Sequence, residues 1–152
     1  MLRFLSKNPA KLKTVLWDFF WGPPLDQGHG LGMRESSIDK GSMAEQRAVE
    51  FLTKKSFDIL GRNYRIPAGE LDIVALHEGT LVFVEVKFLQ TNSWYDPEEQ
   101  VTLAKRRRCE KAALSWLSRH PHDGDCRFDV IAMVASGSGE LLHFEDAWQE
   151  GE

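Results

Sequence analysis

The sequence predicts an α/β fold in which a mixed sheet is flanked by helices, and three observations carry that prediction. Two segments place apolar residues at helical spacing, and five short segments are rich in Val, Ile, Leu and Phe. These segments follow one another in the order α-β-β-β-α-β-β, which suits helices packed on a sheet. The 152 residues, 42% hydrophobic and 28% charged, are of the size and composition of one core.

Taken in order, residues 1–41 read as an N-terminal extension. Leu12, Val15, Leu16, Phe19 and Phe20 outline an amphipathic helix over 11–21 that stops at Trp21-Gly22-Pro23-Pro24, and a Gly-, Pro- and Ser-rich linker follows. Two readings of this segment stay open: a weakly ordered extension or a helix packed on its own domain, or a helix that docks on a protein partner or an anionic membrane. Residues 42–145 form the expected domain. It opens with Ser42-Met43-Ala44-Glu45, a capping-box pattern, and a helix over 42–55 with Ala44, Ala48, Phe51 and Leu52 on its apolar stripe.

Residues 57–66 make a first strand, ended by Pro67 and Gly69. Residues 71–76 and 81–88 flank His77-Glu78-Gly79-Thr80, where Glu78 and Gly79 suit the two central positions of a hairpin turn. After a polar loop containing Trp94 and Tyr95, Pro97 is expected to open a helix running to about residue 119, with Cys109, Ala112, Ala113, Trp116 and Leu117 facing the core. Residues 128–135 form a further strand, and the turn Ser136-Gly137-Ser138-Gly139 leads to a short one over 141–144. Residues 146–152 read as an acidic tail.

Charge narrows the function classes. The net charge of -4 excludes a wholesale polycation, and the acidity lies mainly beyond residue 136, where five acids stand against no base. Lys105, Arg106, Arg107, Arg108 and Lys111 nevertheless form a local basic block fit for a polyanion. Cys109 and Cys126 are too few for a disulfide framework, and no apolar run reaches the roughly 18 to 20 residues of a spanning helix, so a cytoplasmic protein with no membrane span is expected. His120, His122 and Cys126 lack a fourth zinc ligand at regular spacing, and no phosphate-binding glycine loop or serine-nucleophile elbow occurs.

The chemistry lies in the hairpin. Counting outward from a turn at Glu78 and Gly79, Asp72 falls opposite Glu85 and Glu70 opposite Lys87, all four on one face. Like charges across a ladder repel, and burial raises carboxylate pKa values unless a cation neutralises them. A divalent cation answers that need, and oxygen donors with room for water suit Mg²⁺ or Mn²⁺. The alternative is a solvent-facing polar stripe in which Glu70 pairs with Lys87.

The run GELDIVA followed after a short hairpin by LVFVEVK resembles the acidic and E-x-K signature of restriction-endonuclease-like nucleases, the PD-(D/E)XK superfamily. More closely, the chain resembles the YraN-like family of small bacterial proteins, which extends the likeness to Glu45 in AEQRAVEFL, Asn63-Tyr64-Arg65, Val101-Thr102 with Lys105 and Arg106, and Phe128-Asp129-Val130. It departs from the nuclease pattern in lacking a proline beside the first carboxylate.

The resemblance implies an αβββαβ core and a divalent-metal-dependent endonuclease that hydrolyses phosphodiester bonds of DNA, structured or branched DNA included. Asp72 and Glu85 would hold Mg²⁺ or Mn²⁺ with the carbonyl of Val86, Lys87 would stabilise charge at phosphorus or activate water, and Glu45 would complete the site unless it serves Ser42 as a capping partner. Lys105, four residues before Cys109 on the core stripe, falls near the sheet and could touch phosphate together with Arg106 and Arg108, or all three could be ordinary solvated charges. A non-catalytic module binding DNA or RNA, and a protein-interaction module using the N-terminal helix and acidic tail, are the rival readings.

Overall fold

A computed structural model describes residues 37–89, 101–135 and 139–148. The expected helix over 11–21, its linker up to residue 36, the loop aromatics Trp94 and Tyr95, Pro97 and the end of the acidic tail lie outside the described residues. The elements are α1 (Ser37–Lys54), β1 (Asp58–Ile66), β2 (Gly69–His77), β3 (Thr80–Leu89), α2 (Leu103–Arg119), β4 (Cys126–Val134) and β5 (Leu141–Trp148).

The five strands form one mixed sheet in the order β1-β2-β3-β4-β5, antiparallel except for the parallel pair β3 and β4. A parallel pair needs a crossover, and α2 supplies it. The helices lie on opposite faces. Leu81 and Phe83 of β3 pack with Cys109, Ala112, Ala113, Trp116 and Leu117 of α2, whereas the alternate residues Val82 and Val84 pack with Ala48 and Leu52 of α1. Burial on both faces explains the almost unbroken apolar run from Leu81 to Val84.

Between β2 and β3 the turn residues Glu78 and Gly79 both have positive φ, 49° and 79°, as a two-residue hairpin of matching twist requires. The ladder accordingly runs from His77↔Thr80 to Ile73↔Val84.

Three boundaries differ from expectation. The first helix begins at Ser37, which places Ser42 inside the helix rather than at its cap. Gly41 does not end it, because one interior glycine costs only about 1 kcal/mol against alanine. The second helix starts at Leu103 with Thr102 as its cap, whose side chain accepts the Lys105 N–H at 3.2 Å. Lastly, β5 continues through Glu145 and Asp146 to Trp148, with a register shift opposite Phe128 to Val130 and a positive φ at Asp146. Such a bulge breaks the period-2 pattern that marks a strand.

Candidate active site

Asp72 and Glu85 are the residues just beyond the last pair of the β2–β3 ladder. There the backbone pairing gives way to a side chain: Oδ2 of Asp72 accepts the Val86 N–H at 2.8 Å. The bond ties Asp72 into the Glu85-Val86-Lys87 segment. Alternation along β3 sends Glu85 and Lys87 toward α2, on the side of Leu81 and Phe83. Glu85 is only 3% exposed, and its Oε1 meets Nζ of Lys87 at 2.8 Å and Nζ of Lys105 at 3.3 Å. Its Oε2 accepts the Cys109 thiol at 3.6 Å.

Lys105 reaches this spot because α2 lies unusually close to β2. A Cβ at Gly69 would collide with the carbonyl oxygen of Arg108, so only glycine admits the helix backbone there. Lys105 Nζ then bonds Oε1 of Glu70 at 2.7 Å as well as Glu85. The expected Glu70 to Lys87 pair is therefore not formed. The ladder stops at Ile73↔Val84, so nothing holds those two side chains opposite each other, and each takes a nearer partner. Nor is Lys105 an ordinary solvated lysine.

The electrostatics follow from this packing. Burial, then the neighbouring Glu85 carboxylate, raise the Asp72 carboxyl to about 7; Glu45 adds to the rise, against the opposing pull of the Val86 N–H and Lys105. The bond from Lys105 holds Glu70 below the ordinary carboxylate value despite its partial burial. Burial works against the Lys105 ammonium, yet Glu70, Glu85 and Asp72 together keep its pKa above that of a free lysine. Cys109 is pushed up to about 12 by burial and by Glu85, so it is a thiol donor and no nucleophile.

Residues 44–133 match the family described as Uncharacterised protein family UPF0102. The chain belongs to the UPF0102 family. It is 47% identical over 121 residues to a UPF0102 protein of Pelobacter propionicus, an alignment spanning 76% of this chain and 86% of that one. It is 46% identical to a UPF0102 protein of Chlorobium phaeobacteroides over 70% of this chain and 87% of the relative, and 37% identical to one of Dictyoglomus thermophilum over 69% and 90%. The UPF0102 match contains Glu45, Asp72, Glu85, Lys87, Lys105, Arg106 and Arg108.

In this UPF0102 chain the residues singled out by sequence are placed unequally. Asp72, Glu85, Lys87 and Lys105 converge. Glu45 acts on Asp72 through space from α1, and with Ser42 inside the helix it has no cap to serve. Arg106 is half-buried, donating Nε to the Val101 carbonyl at 3.1 Å and lying over the Trp148 ring at 5.9 Å. Arg108 is exposed beside Glu70. Sequence reasoning passed over Glu70 as a hub, Arg65 as its second partner at 4.0 Å, and Cys109 as a donor to Glu85. Counting outward from Pro67-Ala68 would have found Arg65, which pairs with Glu70 across the β1–β2 ladder.

Among the described residues, no three His, Cys, Asp or Glu side chains stand together as a closed metal cage. The donor set is an open pair of carboxylates, Asp72 and Glu85, on which Glu45 of α1 acts more weakly than they act on each other. That set fits Mg²⁺ or Mn²⁺, because Mg²⁺ keeps several waters and is held through one or two carboxylates plus substrate phosphate. Oε1 of Glu85 already holds two ammonium groups, so an ion bound there would share that carboxylate with Lys87 and Lys105 or displace them. Among the described residues, no helix is long and apolar enough to cross a membrane.

Proposed function

We propose that the protein is a divalent-metal-dependent endonuclease acting on phosphodiester bonds of DNA, with structured or branched DNA among its substrates. The observation that carries the reading is the Asp72 to Val86 bond, which draws a half-buried carboxylate into the segment that bears Glu85 and Lys87. The resemblance to nucleases with an acidic residue before an E-x-K element supports it.

Asp72 and Glu85 would hold Mg²⁺ or Mn²⁺, with Glu45 adding negative charge from α1. A bound ion of this type supplies Lewis acidity at a phosphoryl oxygen and an acidified water. The chain's own residues supply orientation and charge. The Val86 N–H fixes the Asp72 carboxylate, the Cys109 thiol fixes that of Glu85, and the Lys87 ammonium stands beside Glu85 where it can offset charge developing on a phosphate.

The test is a cleavage gel with duplex, flap and four-way-junction DNA in Mg²⁺ and in Mn²⁺. Wild type should cut, and Asp72→Asn, Glu85→Gln and Lys87→Ala should each lose roughly 100-fold or more, the usual cost of removing a preorganised electrostatic group. A folded wild type that cuts none of these substrates overturns the enzyme reading. Salt-dependent binding without cutting would assign a non-catalytic nucleic-acid-binding role instead.

A further inference from the structure

We infer that Arg65, Lys105 and Arg108 form a phosphate-binding subsite for the nucleic-acid backbone beside the Asp72 and Glu85 centre, and that Glu70 is the internal anion that holds this subsite until a phosphate takes its place. The inference deepens the nuclease reading by naming where the strand is gripped, and it rests on that reading for its choice of ligand.

Three elements bring the cations together. Arg65 pairs with Glu70 across the β1–β2 ladder, so its guanidinium leaves the edge strand directly beside that carboxylate. The backbone of Arg108 sits on Gly69, the residue before Glu70. Lys105 comes from the first turn of the same helix and touches both Glu70 and Glu85, which makes it the bridge between the subsite and the carboxylate centre. All three cations act on Glu70.

The balance of charge and exposure says what the cluster is for. One carboxylate cannot satisfy three cations, and Arg65 shows the shortfall: its side chain is 73% exposed and stands 4.0 Å from Oε2 of Glu70, a loose contact in water. A guanidinium fork left this free is suited to a phosphate, which offers it paired acceptor oxygens. Glu70 is itself about a third exposed, so an incoming anion can reach the place it occupies. In the wider site, Glu70, Asp72 and Glu85, with Glu45 acting on Asp72 from α1, balance Arg65, Lys87, Lys105 and Arg108, four charges against four. A divalent ion on Asp72 and Glu85 would leave two positive charges over, a surplus that matches a diester backbone carrying one negative charge per phosphate.

The consequence has an unusual sign. If Glu70 competes with substrate phosphate, its neutralisation should tighten binding although it removes an ion pair from the fold. Glu70→Gln keeps a side-chain oxygen to accept from Lys105 and so tests competition without emptying the position.

The experiment measures binding of fluorescein-labelled DNA and RNA 30-mers, single-stranded and duplex, by anisotropy in metal-free buffer as salt is raised from about 50 to 200 mM. Circular dichroism checks that each variant is folded. Arg65→Ala should weaken binding about 5-fold and make the salt dependence shallower by about one phosphate contact, whereas Glu70→Gln should tighten it several-fold. The same pattern on RNA alone would keep the subsite and change the strand it grips.

Folded variants that bind as wild type does, a Glu70→Gln protein that binds more weakly, or a wild type that binds none of the probes would each overturn the inference. Cleavage gels on the same samples with Mg²⁺ separate the two proposals. Binding that responds as described without any cutting retains the subsite and removes the nuclease, while cutting that is indifferent to Arg65 and Glu70 does the reverse.

Discussion

Asp129 on β4 and Glu85 on β3 are carboxylates buried in neighbouring strands, 0% and 3% exposed, yet the sheet treats them differently. Asp129 accepts two bonds from Arg127, at 3.0 and 3.2 Å, one from the Asp146 N–H at 3.0 Å, and stands 2.8 Å from Nε2 of His143. Its three partners pin the bulge of β5 against β4 and leave the group fully enclosed. Glu85 instead shares its surroundings with a second carboxylate, Asp72, whose protonation is raised to about 7 by burial and by that neighbour. A buried charge kept for the fold is surrounded by donors. Glu85 has donors too, in Lys87, Lys105 and Cys109, but the Asp72 carboxyl beside it stays raised by burial and by that neighbour, and groups perturbed in this way gather at functional sites.

The largest expected effect lies at the satisfied centre. Asp129→Ala strands Arg127 and His143 without their counterpart, and urea unfolding should show a loss of about 3–5 kcal/mol; a loss under about 1 kcal/mol would make the network peripheral. Next comes the contact that assembles the other centre. Gly69→Ala should cost roughly 1–3 kcal/mol by overpacking against the Arg108 carbonyl, and a neutral thermal melt would contradict the close approach of α2.

A smaller effect, of opposite sign, is expected at Asp72. Its folded pKa of about 7 lies above the ordinary value of 3.8, so the folded protein binds the extra proton and Asp72 contributes less to stability as pH rises from about 4 to about 7. In metal-free buffer Asp72→Asn should therefore match wild type near pH 4 and be the more stable protein above pH 7. A variant less stable than wild type at every pH would show that the two carboxylates do not repel. The smallest effect belongs to an exposed charge outside both centres: Arg107→Ala should stay within about 0.5 kcal/mol of wild type in the same melts.

How far the sequence reached depends on the range of each interaction. The hairpin register was legible because Glu78 and Gly79 set it locally. The core stripe of α2 was legible because helical spacing selects Cys109, Ala112, Ala113, Trp116 and Leu117 without reference to any other element. The partners of Glu70 and Lys87 were not, since the ladder ends before it reaches them and Lys105 arrives by a helix-to-strand approach that depends on Gly69. Asp129 and His143 meet across a bulged edge, where the loss of period-2 alternation also concealed the last half of β5. Arg65 was within reach of simple counting from the Pro67-Ala68 turn, but a single exposed arginine carries no pattern of its own.

The comparison between the two centres is tested most directly by melting wild type, Asp72→Asn and Glu85→Gln near pH 7.5, first without metal and then with saturating Mn²⁺. Without metal, wild type should melt below Asp72→Asn. With Mn²⁺ at about 100 times its Kd, wild type should gain about 2.7 kcal/mol by mass action, while both variants move little. Equal shifts in all three proteins, or an Asp72→Asn protein that melts below wild type even without metal, would contradict a centre whose repulsion a cation relieves.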